Sequence, residues 1–279
     1  MRNKKKTAEQ KIQEWIKDGN TTRPLNLNGF EVVPDLPTSL KSLFANNTKQ
    51  LPELPDSLEY LTADSATILP KLPTSLKILH ANSATTLPKL PASLKVLSAH
   101  SATTLPDLPA SLEHLSADSV VALSDLPVSL EYLYANSAVV LPELPTSLKI
   151  LSADNVTVLP ELPAGLRALC VNSAITLPEL PGSLKWLSAN SVTKLPSLPD
   201  SLETLYANNV TILPTLPTSL KYLSVNNATV LPDLPTSLEV LYANSVEQLP
   251  KLPASLRVLY AQKATNKFDR LREQRKNAW

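Results

Sequence analysis

The chain has 279 residues, 26 Lys and Arg against 25 Asp and Glu, and a formal net charge of +1. That balance is not that of a polycation built for a nucleic-acid backbone. A single cysteine excludes a disulfide framework and fits a reducing compartment.

The first predicted element is a helix. The basic start Met1-Arg2-Asn3-Lys4-Lys5-Lys6 is followed by no apolar run, which argues against a Sec-type signal peptide. Nowhere is there a stretch long enough to span a membrane. Thr7-Ala8-Glu9-Gln10 is a capping-box pattern, Ile12, Trp15 and Ile16 share one helical stripe, and Gly19-Asn20 stops the helix.

From Val33 to Asn266 the chain repeats. Thirteen 18-residue units follow Leu-Pro-x-Leu-Pro-x-Ser-Leu-x-x-Leu-x-Ala-Asn-Ser-Ala-Thr-x, with position 1 at Val33, Leu51, Leu69 and so on to Leu249. A fixed short period means a solenoid, whose units bury their apolar face only by stacking. Before it, Leu25-Asn26-Leu27-Asn28 falls in phase with positions 11 to 14 of a zeroth unit. Residues 1–32 therefore read as an N-terminal cap, a helix followed by a degenerate first repeat.

Of the 26 prolines, 25 occupy positions 2 and 5, so the high proline content is periodic structure and not a disordered linker. Their spacing suits a polyproline II arm with both leucines, at positions 1 and 4, turned inward. Leu at 11 and Ala at 13 alternate with outward residues, which predicts a strand of five residues and a parallel sheet. With only four glycines in the chain, Asn, Asp and Ser at positions 14 and 15 are expected to take the corner, tolerating left-handed backbone. Ser at position 7 and Asn or Asp at position 14 are expected to satisfy backbone groups from coil to coil.

Residues 267–279 form the last predicted element, a basic helix with Phe268, Leu271, Trp279, Arg270, Arg272, Arg275 and Lys276, capped by Thr265 or Asn266. It reads as a closing cap or as the start of a further domain.

The run Leu-Pro-Glu-Leu-Pro-Thr-Ser-Leu-Lys-Ile-Leu-Ser-Ala (141–153) resembles the leucine-rich repeat of bacterial effectors of the YopM and IpaH type. The helical lead-in with Trp15 is similar to the way those proteins enter their repeats. The resemblance implies a leucine-rich-repeat solenoid of the horseshoe class with a concave parallel sheet. It also implies secretion into a host cell and binding of host proteins. Repeats of that family have about 20 residues or more, so this unit is short, and the missing pair falls where the family's Asn ladder stands. Positions 14 and 15 are the candidates to replace it. A ubiquitin-ligase domain like that of IpaH-type proteins is not expected in the short segment after the repeats.

No constellation for catalysis stands out, and no metal or cofactor is expected. Cys170, at position 12, has no His at position 12 within two coils on either side to act as a base. His80, His100 and His114 occupy three different repeat positions, which does not favour one metal ion. The chain is read as a non-enzymatic scaffold.

Outward positions 9, 10, 12 and 14 make the predicted binding face. Position 9 is a stripe of Lys, Glu or Arg of mixed sign, which predicts lateral ion pairs. The candidate partner-binding residues are Tyr132, Tyr134, Trp186, Tyr206, Tyr222, Tyr242 and Tyr260, since Tyr and Trp are the residues of interface hot spots. The expected partner is a protein, most simply a host protein, with no nucleic acid. The expected location is the host cytoplasm after specialised secretion, or the bacterial cytoplasm. The competing readings are an ice-binding solenoid using the Thr row at position 17 (Thr67, Thr85, Thr103, Thr157, Thr193, Thr211, Thr229, Thr265) and the recognition part of a larger ubiquitin ligase.

Overall fold

The computed structural model describes residues 6–271. The chain divides into two compact units, Met1–Ser137 and Ala138–Trp279.

The first unit opens with helix α1 (Ala8–Asp18), whose capping box forms as the sequence predicts. Gln10 N donates to Thr7 Oγ1 and Thr7 N donates to Gln10 Oε1. Gly19 ends it in the left-handed region at φ 68°, where a side chain would be strained. The buried stripe is Ala8, Ile12 and Trp15, and the Trp15 indole donates to the Arg23 carbonyl at 2.8 Å. Ile16, expected on that stripe, is instead 49% exposed; the helix rests on its partner along a narrower line.

Strand β1 (Leu25–Asn26) follows, then β2 (Ser42–Phe44), β3 (Tyr60–Thr62), β4 (Ile78–His80), β5 (Val96–Ser98), β6 (His114–Ser116) and β7 (Tyr132–Tyr134). They pair in sequence order, all parallel. Leu25 pairs with Leu43, 18 residues on. The second unit has the same plan in β8 (Ile150–Ser152), β9 (Ala168–Cys170), β10 (Trp186–Ser188), β11 (Thr204–Tyr206), β12 (Tyr222–Ser224), β13 (Val240–Tyr242) and β14 (Val258–Tyr260). Its register is one repeat per strand, as in Leu169 to Leu187 to Leu205. The fold is a leucine-rich-repeat solenoid with few helices.

Each repeat strand has three residues, at positions 10 to 12, not five. Hydrogen bonds from the flanking positions extend the ladder, such as Lys221 N to Glu203 O at 2.9 Å and Ala207 N to Ser224 O at 2.9 Å. The strand stops because position 13 already begins the corner: Ala189 O accepts from Val192 N. A second turn precedes the strand, with Pro181 O accepting from Leu184 N. The corner needs no left-handed residue, contrary to expectation. No described residue other than Gly19 and Gly29 has positive φ, so Asn and Ser there act through their side chains.

The core lies between strand and corner. Leu184, Leu187, Ala189 and Val192, at positions 8, 11, 13 and 16 of one coil, are fully buried. Position 4 departs from expectation. Leu72, Leu90, Leu216 and Leu252 are buried, but most position-4 leucines, such as Leu180, are only half-buried. The arm is the outer layer of each coil, and its second leucine sits where the chain meets water.

The Ser ladder at position 7 ties the arm to the preceding coil. Ser183 Oγ lies 2.7 Å from the Ala164 carbonyl and 2.6 Å from that of Leu166, its proton shared between them. Gly165 is the one repeat position 7 without this hydroxyl.

At the C-terminal end, residues 267–271 are helical. Asn266 does not cap that helix with its side chain. Its Oδ1 accepts from Leu249 N and its Nδ2 donates to Leu249 O, which closes the last arm instead. Phe268 is 74% exposed. Arg272, Arg275, Lys276 and Trp279 of the expected helix lie outside the described residues. Among the described residues, no helix is long and apolar enough to cross a membrane.

This layering makes one coil a test of itself. Leu187→Ala removes a fully buried side chain and should cost about 2–5 kcal/mol, whereas Leu180→Ala, half-buried on the arm, should cost clearly less. Urea unfolding of the two variants beside the parent chain checks the order.

Candidate binding face

Position 14 forms the ladder that holds the outer face in place. In the second unit Asn190 Nδ2 donates to Asn172 Oδ1 at 2.8 Å, Asn208 Nδ2 to Asn190 Oδ1 at 2.8 Å, and Asn226 Nδ2 to Asn208 Oδ1 at 2.9 Å. The same oxygens accept backbone N–H groups of the next coil, as Asn190 Oδ1 does from Asn208 N at 3.1 Å. An aspartate serves equally as acceptor: Asn82 and Asn172 donate to Asp64 and Asp154. The first rung is Asn28 of the zeroth repeat, which accepts from Asn46 N. The ladder expected at position 14 thus forms at the corner.

Position 12 points outward beside this ladder, yet its small residues are covered. Ser98, Ser188 and Ser224 are 8%, 5% and 5% exposed. Their hydroxyls donate to the position-14 oxygen of the preceding coil, as Ser188 does to Asn172 at 2.8 Å. The Thr62 hydroxyl is buried in the same way, and no hydrogen-bond partner stands near it among the described residues.

The aromatic residues singled out in the sequence fall into two groups. In the second unit Trp186, Tyr206, Tyr222, Tyr242 and Tyr260 form an unbroken row. Successive ring centroids lie 6.0, 4.7, 5.8 and 4.6 Å apart, and the last pair is stacked within 6°. Trp186 and Tyr222 stand at position 10 and Tyr206, Tyr242 and Tyr260 at position 12, and small residues (Ser188, Thr204, Ser224) share the strands of Trp186, Tyr206 and Tyr222. All are half-buried except Tyr260, which is 50% exposed. Burial pushes the Tyr222 hydroxyl above its usual titration range, and the hydrogen bond with Tyr206 adds to the shift.

In the first unit Tyr132 stacks on His114 at 4.1 Å, and Tyr134 is 37% exposed. The sequence reading missed Phe44 and Tyr60, which meet edge to face at 5.4 Å. Their signal was present: they occupy positions 12 and 10. It also missed position 18. Val32, Ile68, Val140, Val158, Ile212 and Val230 there are 68–78% exposed, since the chain turns outward between the corner and the next arm.

Position 9 carries the expected lateral ion pairs. Glu203 lies 3.3 Å from Lys185 and 2.7 Å from Lys221, and Lys77 lies 2.6 Å from Glu59. The Lys221 hydrogen bond foremost holds the Glu203 carboxyl below its usual range. These pairs are exposed and set register more than stability.

The three histidines have separate partners. His100 Nδ1 lies 2.8 Å from Asp118, His114 stacks on Tyr132, and His80 stands 6.1 Å from Tyr60. Ser116 Oγ is 3.5 Å from both nitrogens of His100, so it faces the ring and not a lone pair. Among the described residues no group of three or more His, Cys, Asp or Glu could hold a metal ion. Cys170 is half-buried, and its thiol donates to Asp154 at 3.2 Å. Burial, then the Asp154 carboxylate, push it up to about 11, the opposite of an activated nucleophile.

No protein-family model and no curated protein sequence matches the chain. Among solved structures it is similar to YopM from Yersinia enterocolitica WA-314, with 30% identity over 91% of this chain and 67% of that one, and a TM-score of 0.73. It is also similar to YopM from Yersinia pestis, described as a leucine-rich effector protein, with 32% identity over 91% and 81% and a TM-score of 0.79. A leucine-rich-repeat protein of Leptospira interrogans shares the fold at 20% identity, with 100% and 99% covered and a TM-score of 0.59.

The ladder and the thiol each yield a measurement. Asn190→Leu should lower stability by about 1–3 kcal/mol in urea unfolding, because partners on both neighbouring coils are orphaned. Asn190→Asp, which keeps the acceptor, should cost less. Cys170 should alkylate roughly 100-fold more slowly at pH 8 than an ordinary thiol, from its smaller thiolate fraction. The rate should climb as pH rises toward 11, and Asp154→Asn should raise it at fixed pH by removing the carboxylate.

Proposed function

Because the chain belongs to the YopM family of leucine-rich-repeat proteins, we propose that it is a non-enzymatic scaffold that binds a protein partner through its strand face. In this reading it is a bacterial effector delivered into a host cell, and the partner is a host protein. The division of labour is a helical cap (1–32), thirteen repeats (33–266) and a C-terminal segment (267–279).

The observation that carries the reading is the aromatic row Trp186–Tyr206–Tyr222–Tyr242–Tyr260. Five rings held side by side by the sheet, tilted or stacked on one another, are already ordered. Docking on them therefore costs little further side-chain entropy, and each ring brings a large contact area. The Tyr hydroxyls add hydrogen-bonding groups to that area. Tyr132 and Tyr134 are the candidate residues of the first unit. The raised titration of Cys170 gives the same surface no nucleophile.

The test is affinity capture from host-cell lysate with the full chain, beside Trp186→Ala/Tyr206→Ala/Tyr222→Ala. Hot-spot aromatics contribute about 2 kcal/mol or more each, so the triple variant should lose the specific partner while circular dichroism stays that of the parent. Recovery of the same partners in the same amounts would refute the aromatic face.

A further inference from the structure

The charge beside the aromatic row is not balanced. In the second unit position 9 holds Lys149, Arg167, Lys185, Lys221 and Arg257 against only Glu203 and Glu239. Asp154 is the one other charged residue at positions 9, 10, 12 and 14 of that unit, and its carboxylate already accepts from Asn172 and Cys170. Position 9 of the first unit is even, with three cations (Lys41, Lys77, Lys95) and three carboxylates (Glu59, Glu113, Glu131). The excess of positive charge is therefore a property of the face that carries the row of rings.

Most of these cations are engaged. Lys185 and Lys221 share Glu203, and Arg257 reaches Glu239 at 4.0 Å. Arg167 is different: among the described residues no carboxylate lies within ion-pair distance of it, and its side chain is exposed. The next residue, Ala168, is the shortest side chain of the position-10 row. It stands in register between Ile150 and Trp186. With only a methyl between two long side chains, the residue sizes describe a notch at Ala168, next in sequence to Arg167, where the aromatic row begins.

We infer that this notch receives a carboxylate side chain of the bound partner, in an extended acidic segment whose neighbouring apolar residues lie on Trp186 and the tyrosines beyond it. The inference rests on the aromatic face being the binding surface. An unpaired guanidinium presents a fork of donors that matches a carboxylate in two parallel hydrogen bonds. The flanking Ile150 and Trp186 would shield that pair from water, which strengthens it relative to the exposed pairs along position 9. The row's two glutamates and Asp154 interrupt the positive charge too often for a phosphate track, so the complement is a polypeptide with a few acids, not a nucleic acid.

A phage-displayed library of random 16-residue peptides, selected on the full chain, on Arg167→Glu and on Trp186→Ala, tests this. Arg167 is exposed and Trp186 stands on the outer face, and circular dichroism confirms that each variant folds. The parent chain should enrich peptides with one fixed Asp or Glu close to apolar residues. Arg167→Glu should lose the fixed acid while keeping the apolar preference, and a parent-selected peptide should bind it about tenfold or more weakly. Enriched peptides without a fixed acid, or the same acid retained on Arg167→Glu, would overturn the acidic partner and leave the aromatic face standing. Enrichment indifferent to Trp186→Ala would overturn the aromatic face, and with it the inference that rests on it. No enrichment at all would overturn both.

Discussion

Each side chain in either unit has its own equivalent as its neighbour, one coil of 18 residues away, and the structure depends on that constraint. The strict register lets a single residue type satisfy two coils at once. An Asn at position 14 accepts from the next coil and donates to the preceding one, so the backbone N–H groups at the corner are answered without glycine and without left-handed residues. Ser at position 7 does the same for the carbonyls behind the proline arm. The fully buried leucines at positions 8 and 11 then stack in columns with no need for large-to-small compensation.

The same register decides what the outer face can be. Side chains at positions 10 and 12 are held near their counterparts on adjacent strands, so an aromatic there meets another aromatic whenever the adjacent coil supplies one. Trp186, Tyr206, Tyr222, Tyr242 and Tyr260 become a row for that reason, and the intervening Ser188 and Ser224 sink beneath it. The rings' mutual contact keeps them in place while leaving their faces half-open, which is the condition a preorganised protein-binding surface needs. Position 9, long and charged, frames this surface and sets its sign.

The 18-residue unit turns back on itself at a tight corner. A turn closed from position 13 to position 16 and an amide ladder at position 14 make that corner. One consequence is the outward swing at position 18, which leaves Val158, Ile212 and Val230 in water. The face used for packing and the face left to solvent are separated by only two residues of chain.

The repeat, its period, the parallel sheet, the capping box at Thr7 and the two ladders were legible in the amino-acid sequence. Periodic prolines and leucines admit few other arrangements, and a side chain recurring every 18 residues must meet itself. The aromatic positions were legible for the same reason. Depth and direction were not. The half-exposure of Leu180, the outward Ile16, the covered Ser188 and the reassignment of Asn266 to the Leu249 backbone depend on what packs against each residue, and a linear pattern does not encode that. Nor could spacing alone say that Arg167 would stand without a carboxylate among the described residues while Lys185 and Lys221 shared one. Sequence determined which residues meet, because register is one-dimensional. Tertiary structure decided how deeply each is covered and which charges remain free, because those depend on neighbours in three dimensions.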